Sequence, residues 1–278
     1  MKRLNVRIIL FLTLVSAGQK AFAQIGAEAQ GGRLTTWFAL GLDQEISKRL
    51  TSVTDFGFGR HSDPTNLTLF EKQGLWVFTQ DFIYRLNEHW RIAASFGYWR
   101  RNYYSDSPPY EPMRGLEYRN EVRPFQRIYY DQKIGNMRLT HTVRMDYRFY
   151  WLPEFNERWA TPFEFRARYM MNLKIPITHD RVNQIIINDE ILTAVDKMNS
   201  VDATLTQQKW SAFKLTENRC SIYYRRQLSH FHADLDLGLM HQYWREVKAS
   251  DFTTSFNVMV DLIVYNPFGR KKVESSEE

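Results

Sequence analysis

Apolar and polar residues alternate one by one along most of the chain after residue 33. In residues 139–151, "LTHTVRMDYRFYW", the odd positions are largely apolar or aromatic, whereas Arg144, Asp146 and Arg148 occupy even positions. Side chains of a strand point alternately to its two faces, so this period of two predicts β-strands. The same alternation recurs in residues 37–43, 76–86, 90–98, 163–175, 233–239 and 256–264. Residues 184–194 alternate poorly, but we interpret them as a strand too.

The connections between these segments differ in length in a regular way. Short ones are predicted at 46–49, 87–89, 135–136, 176–182 and 229–230, and longer polar ones at 61–73, 102–118, 152–161 and 195–217. Short turns at one end and long loops at the other are typical of outer-membrane barrels. About eleven strands can be counted, and since bacterial single-chain barrels have even strand numbers, we expect ten or twelve. The fold predicted is all-β, an antiparallel transmembrane β-barrel of about 10–12 strands.

A soluble periplasmic β-sandwich that binds a ligand is the alternative fold, because its strands alternate as well. The predicted strands run to roughly ten or more residues, against about five or six in most soluble sheets. Their apolar faces also end repeatedly in Trp or Tyr, which suits the two aromatic girdles of a membrane barrel. These aromatic residues are Trp76, Tyr84, Trp90, Tyr98, Tyr147, Trp151 and Tyr243. Strand length and aromatic ends both favour the barrel.

The N-terminus has the layout of a secretory signal peptide. Lys2, Arg3 and Arg7 precede the apolar run "IILFLTLVSAG", and "AFA" places small residues before a cut at Gln24. The apolar run is too short for a stable membrane helix. We therefore divide the chain into a signal peptide at 1–23, a barrel domain at 24–268 and a charged tail at 269–278. Export followed by barrel assembly predicts a location in the outer membrane.

Removal of the leader changes the meaning of the charge. The full chain carries a formal +6, but residues 1–23 contain four basic residues and no acidic ones. The remainder has 33 basic against 31 acidic residues, so its charge of +2 gives no reason to expect nucleic acid as a partner. A single cysteine, Cys220, excludes a disulfide framework and a cysteine-based zinc site.

Two hairpins give an internal check on strand register. A two-residue turn at Gly135-Asn136 pairs Ile134 with Met137, and it then places the charged residues of both strands on one face. On that face, Arg127 should lie opposite Arg144, and Phe125 should lie opposite Asp146. In the second hairpin, pairing Leu228 with Phe231 predicts that Arg225 lies opposite Asp234.

Five blocks of the sequence resemble, in order, the "domain of unknown function 2490" family. They are "TTWFALGLDQEISKRL", "RPFQRIYYDQKIGNMRLTHTVRMDYRF", "FRARYMMNLKIPI", "NDEILTA" and "ENRCSIYYRRQLSHFHADLDLGLMHQYW", and they span nearly all of the mature chain. The most specific elements are R-x-D-x-R and the downstream Asn218-Arg219. The resemblance implies a predicted outer-membrane barrel of Gram-negative bacteria and supplies no catalytic residues. One departure is the tail after Phe268, since barrels usually end on an aromatic residue that the assembly machinery recognises.

The interior face is the candidate functional site. Arginines crowd three consecutive predicted strands, and the acids of those strands can pair with only some of them. Asp234, Asp236 and Asp261, with Asp43 across the closure, form an acidic set elsewhere on the wall. A narrow pore for small polar or anionic solutes is one hypothesis, and charges that interlock to brace the barrel are the favoured one. The cluster comprises Arg123, Arg127, Arg144, Asp146, Arg148, Glu164, Arg166, Arg168, Arg225, Asp234 and Asp236.

An outer-membrane lipid-modifying enzyme is the remaining alternative. Such hydrolases place a His and a Ser two residues apart on one strand face, so that the base can take the serine proton. None of the seven histidines has this spacing; His61 is followed directly by Ser62, and His141 by Thr142. We therefore predict no catalytic residues, no metal and no cofactor. The expected partners are outer-membrane lipid and the barrel assembly machinery.

Overall fold

The computed structural model describes residues 33–62, 71–105, 108–155, 157–199, 208–245 and 252–269. The predicted signal peptide at 1–23 lies outside them, as does the part of the predicted tail beyond Gly269. No helix in this described part of the chain is long and apolar enough to cross a membrane. Its strands are β1 Arg33–Glu45, β2 Leu50–His61, β3 Lys72–Arg85, β4 Trp90–Asn102, β5 Tyr118–Ile134, β6 Met137–Trp151, β7 Arg158–Pro176, β8 Asn183–Asn199, β9 Gln208–Trp210, β10 Lys214–Leu228, β11 Ala233–Trp244 and β12 Thr253–Tyr265.

Eleven of these strands close into a barrel. Neighbours along the chain pair from β1 to β8, β8 pairs with β10, and β12 pairs back with β1. The three-residue β9 pairs only with the end of β8 and stands outside the ring. The all-β barrel prediction is confirmed, including the strand predicted at 184–194, which lies within β8. A single closed sheet excludes the two-sheet sandwich.

The ring closes through a parallel pair, which corrects the expected even strand number. β1 and β12 run in the same direction, from Arg33 beside Ser255 to Asp43 beside Tyr265. All other neighbouring pairs in the sheet are antiparallel. An odd number of alternately directed strands leaves the first and last pointing the same way, so a ring of eleven must contain one parallel seam.

The connections at one end of the barrel are short, and those at the other end are mostly longer, except that 152–157 has six residues like 177–182. Those at 46–49, 86–89, 135–136, 177–182 and 229–232 are short and share one end, which we call the short-turn end; the other we call the long-loop end. In the turn at 177–182, hydrogen bonds from the Thr178 hydroxyl and the Val182 N–H hold the pKa of Asp180 below its usual value.

The loop predicted at 195–217 is too long at both ends, because β8 continues to Asn199 and β10 begins at Lys214.

One of the two predicted hairpin registers is confirmed and the other is wrong. β5 and β6 pair as expected, with Arg127 opposite Arg144 and Phe125 opposite Asp146. In β10 and β11, however, Arg225 lies opposite Asp236 rather than Asp234. The connection has four residues instead of two, with a 3-10 turn at Ser229–Phe231 followed by His232 in a left-handed conformation at φ 48°. A shift of two residues preserves the inward face, since side chains alternate with the same period.

The polarity of the barrel is inverted relative to a soluble protein. Asp146 on an inward face is 0% exposed, whereas Leu239 and Phe256 on outward faces are 61% and 60% exposed. The same distinction holds around the ring: outward positions carry exposed apolar side chains and inward positions carry buried polar ones. Exposed outward residues include Phe56, Trp76, Phe82, Phe96, Ile128, Val143, Ile191, Ile222 and Leu237.

Aromatic rings form a belt near each end of the outer surface. At the short-turn end, the rings of Trp90 and Tyr130 lie 4.7 Å apart, and Tyr130 packs against His141. His141 Nδ1 shares a hydrogen bond of 2.7 Å with the Tyr169 hydroxyl, so this histidine belongs to the outer surface as predicted. Contacts at the long-loop end join Phe58 to Trp76, Tyr98 to Phe155 and Phe163 to Trp210.

Glycine at position 238 is required by an aromatic ring inside the barrel. Tyr223 lies directly opposite Gly238, and its ring crosses the space that a β-carbon would occupy. We expect Gly238→Ala to destabilise the barrel by about 1–3 kcal/mol through overpacking. Gly57→Ala is the matched control, because its nearest non-bonded atom is at an ordinary 3.5 Å. Urea titration read by gel mobility measures both; an equal effect of the two changes would contradict the explanation.

Candidate functional site: a charged barrel interior

The barrel interior brings together charged side chains from strands that are distant in sequence. All eleven residues of the predicted cluster occupy inward positions on β5, β6, β7, β10 and β11, and none is exposed. Alternation places them there, because each is an even number of residues away from a buried residue on its own strand and so shares its face. They do not form one group, however. Arg127 and Arg225 bind acids separate from those that the other arginines share.

Ten of the interior side chains form a continuous series of alternating charge, which we call the ion-pair chain. Each member contacts the next within salt-bridge distance, and the series passes through β5, β6, β7, β10 and β8 before returning through β7 to β6. Five guanidinium groups and five carboxylates therefore neutralise one another across neighbouring strands. In order, the members are Glu121, Arg148, Glu164, Arg166, Glu217, Arg219, Glu190, Arg168, Asp146 and Arg144.

Arg148 occupies the most heavily paired position in this chain. It contacts both oxygens of Glu121, at 2.7 Å and 2.9 Å, and it also donates to Glu164. Arg123 binds the same Glu121, so this buried carboxylate joins two arginines. Paired geometry of this kind offsets the cost of removing charges from water.

Two arginines of the ion-pair chain, Arg166 and Arg168, depend on acids from β8 and β10. Arg166 reaches Glu217 at 3.1 Å, and Arg168 contacts Asp146 at 2.6 Å and Glu190 at 3.6 Å. These two glutamates complete the pairing that the acids of β5 to β7 leave unfinished. The basic wall expected from sequence is thereby largely neutralised.

Phe125 separates two arginines that lie directly opposite each other. Arg127 and Arg144 are cross-strand neighbours, an arrangement of like charges that costs free energy. The Arg144 guanidinium lies 3.7 Å from the Phe125 ring centroid, and the Arg127 guanidinium lies 4.8 Å from it. Each arginine also has its own carboxylate, Asp81 at 2.6 Å for Arg127 and Asp146 at 2.5 Å for Arg144. The ring and the two acids together make the opposed pair tolerable.

A second, smaller group lies at β10 and β11. Arg225 contacts Asp236 at 2.5 Å and Asp234 at 3.1 Å, so both predicted acids bind this arginine despite the register error. The Tyr265 hydroxyl donates to Asp234 at 2.8 Å. The predicted acidic set is also found here, with Asp261 directly opposite Asp236.

Three inward acids on the remaining strands are not paired with a base. Asp43, Asp55 and Asp261 have no ion pair among the described residues, and each is half-buried. Asp55 accepts a hydrogen bond of 3.1 Å from the Thr79 hydroxyl. The part of the wall formed by β1, β2 and β12 therefore carries acids without a base, whereas most charges on β5 to β8 and β10 are ion-paired.

Sequence reasoning missed Asp81, Glu190, Glu217 and Arg219 as members of the interior. Asp81 belongs to a strand whose alternation was recognised, so its inward position could have been inferred. Glu190 lies in β8, whose weak alternation hid its faces, and Glu217 follows a register shift after Leu215. Their partners could be found only by knowing that β8 neighbours β10.

The histidines do not assemble a catalytic group in the described part of the chain. His141 faces outward beside Tyr169, and His230 packs against Phe231 in a turn. His61 lies edge-on to Tyr104 at 5.4 Å between ring centroids. No group of three or more His, Cys, Asp or Glu residues within the described ranges is arranged to hold a metal ion.

The ion-pair chain makes a specific prediction about stability. Arg148→Gln leaves Glu121 and Glu164 buried with one cation fewer, and we expect it to destabilise the barrel by about 3–5 kcal/mol. Arg138→Gln is the matched control: its side chain is 51% exposed, and its partner Asp131 keeps Arg91. Because Arg138 is half exposed and Asp131 keeps a second arginine, loss of this contact should cost less than about 1 kcal/mol. Urea midpoints compare the two, and similar losses would show that the buried chain contributes no special stability.

The sequence was compared with known proteins. No curated protein matches it significantly. A family model described as "Protein of unknown function (DUF2490)" matches residues 34–253, which is well over half of the chain. The match extends from β1 to the start of β12 and so contains every strand of the ion-pair chain. The chain therefore belongs to the DUF2490 family of proteins of unknown function.

Proposed function

We propose that this chain is an outer-membrane β-barrel of a Gram-negative bacterium, exported by the signal peptide at 1–23. Its interior is braced by the ion-pair chain, and we propose a structural barrel rather than an open pore. Outer-membrane lipid surrounds the wall in this proposal, and the barrel assembly machinery inserts it. No catalytic step is assigned to any residue.

The inverted polarity of the wall carries the proposal. Soluble monomers rarely expose contiguous apolar patches of more than a few hundred Å², whereas here exposed apolar side chains lie on the outward faces around the ring. In hydrocarbon the same surface has no cost, provided that every backbone N–H and C=O of the wall is bonded internally. A closed ring of strands meets that requirement.

The aromatic belts support a membrane of ordinary thickness. On β4 the outward Trp90 and Tyr98 are eight residues apart. At about 3.4 Å per residue this is roughly 27 Å along the strand. A tilt of about 40° reduces it to roughly 20 Å of height, close to the ~25 Å apolar band of membrane barrels.

The aromatic residue that follows β12 is the candidate recognition point for the assembly machinery. β12 ends at Tyr265, and Phe268 follows as an isolated aromatic residue that is 83% exposed. Its backbone N–H donates to Gln44 in β1 at 3.2 Å, so it remains next to the parallel seam. We propose that Phe268 is recognised at this internal position, ahead of the charged tail.

Cell fractionation tests the location. We expect the full chain in the outer-membrane fraction, with faster gel migration before boiling than after, because closed barrels resist detergent at room temperature. The control lacks residues 1–23 and should remain in the cytoplasm. A soluble periplasmic protein whose migration does not change on boiling would contradict the proposal.

Conductance in planar bilayers tests the braced interior. Wild-type protein should give no steady channel current, because the ion-pair chain occupies the interior. The double change Arg144→Ala and Arg148→Ala removes two guanidinium groups from the chain and should raise conductance, provided that gel migration shows a folded barrel. Arg138→Gln, which lies outside the ion-pair chain, should behave as wild type. Steady wild-type current would overturn the structural proposal.

A narrow pore is the second candidate, favoured by the unpaired acids. Asp43, Asp55 and Asp261 have no ion pair among the described residues, so a water path beside them would attract cations rather than the anions expected from sequence. In that case wild-type currents should be cation-selective, and Asp55→Asn with Asp261→Asn should reduce the selectivity.

A further inference from the structure

Two arginines at the long-loop end of the interior oppose each other without a counter-charge. Arg101 in β4 lies directly opposite Arg119 in β5, and both occupy inward positions. Directly opposed residues have Cβ atoms about 4.5–5.5 Å apart, and like charges there are destabilising. Arg127 and Arg144 repeat this arrangement deeper in the barrel, but there two carboxylates neutralise the pair.

No carboxylate of the described residues pairs with Arg101 or Arg119 at the long-loop end. Within the described ranges, neither guanidinium group has a carboxylate within salt-bridge distance of 4.0 Å or donates a hydrogen bond. The Nε of Arg119 is buried and unbonded. The nearest inward acid on the same strand, Glu121, is already bound by Arg123 and Arg148.

Aromatic rings hold Arg119 in place while leaving its donors free. Its guanidinium lies 4.3 Å from the ring centroid of Tyr150 and 5.1 Å from that of Trp159. Trp159 is itself stacked on Tyr103 at 5.7 Å. Contact with ring faces orients a guanidinium group but does not accept its N–H hydrogens. Donors in the plane of the group therefore remain available.

We infer that Arg101 and Arg119 form a binding site for a small dissolved oxyanion, of the phosphate or carboxylate class. A planar guanidinium fork matches two oxygens of such an anion, and an anion between the two groups converts their repulsion into attraction. Arg101 is exposed, so the site is open at the long-loop end. The inward position excludes lipid headgroups, because lipid meets the outward face. The oxyanion site itself rests on the barrel interior alone; only the exclusion of lipid headgroups rests on the proposed membrane location.

Calorimetric titration of the purified barrel tests the site. The probe is inorganic phosphate, in a phosphate-free detergent at constant ionic strength set with chloride. Wild-type protein should bind it, and Arg101→Gln or Arg119→Gln should weaken binding at least about tenfold. Arg181→Gln, in the turn at the short-turn end, removes the same charge far from the site and should bind as wild type. Absence of binding to wild type, or equal weakening by all three changes, would overturn the inference.

Thermal unfolding gives a second measurement that separates binding from folding. Arg101 has no ion pair or side-chain hydrogen bond to lose among the described residues, and Arg101→Gln removes its repulsion with Arg119, so in phosphate-free buffer the variant should melt no lower than wild type. Added phosphate should raise the melting temperature of wild type and Arg181→Gln but not of Arg101→Gln. A lower melting temperature of Arg101→Gln without phosphate would show a structural role instead. A response to micelles of anionic phospholipid but not to inorganic phosphate would likewise overturn the site.

Discussion

The rest of this structure depends on the closure of the hydrogen-bonded ring. A sheet of strands has two edges with unpaired N–H and C=O groups, and only closure removes both. Here the first and last strands meet as a parallel pair, from Arg33 beside Ser255 to Asp43 beside Tyr265. Once the backbone bonds are satisfied within the wall, apolar outward side chains are compatible with the lipid surroundings proposed above. The exposed apolar surface and the two aromatic belts are possible only on such a wall.

Closure also creates an interior too small to leave its charges in bulk water. Asp146 and Glu121 are almost wholly removed from solvent, and an unpaired carboxylate in that position would be costly. Alternating signs along the ion-pair chain solve the problem collectively, since most members contact two partners. The chain fastens β5, β6, β7, β8 and β10 to one another from inside, in addition to their backbone bonds. Interior neutrality and mechanical bracing are thus two consequences of one arrangement.

The interior is nevertheless not uniform. The ion-pair chain joins charges on β5 to β8 and β10, whereas Asp43, Asp55 and Asp261 on β1, β2 and β12 have no ion pair among the described residues. At the long-loop end, Arg101 lies opposite Arg119. Unpaired charges of one sign are expensive unless water or a ligand compensates them, so they mark where solutes meet the barrel. The narrow-pore candidate and the oxyanion site are inferred from these unpaired charges. The structural proposal is inferred from the ion-paired charges.

The local alternation of residues was sufficient to predict which face of each strand is inward, and it partly predicted the register of the hairpins. Alternation in β6 correctly placed Arg144, Asp146 and Arg148 inside, because the side-chain period of a strand is fixed by its backbone geometry. The two-residue turn at Gly135-Asn136 fixed its hairpin register for the same local reason. The second hairpin failed because its turn has four residues, including His232 in a left-handed conformation that the sequence did not reveal.

By itself, the sequence determined the all-β class, the inward charges, the outward apolar face and the family to which the chain is similar. Only the tertiary structure decided the strand number, the parallel seam and the partners of each arginine. Glu217 reaches Arg166 because β8 neighbours β10, a pairing between strands that are separated in sequence by β9. The physical reason is that alternation is a property of one strand, whereas charge pairing depends on which strands the closed ring makes neighbours.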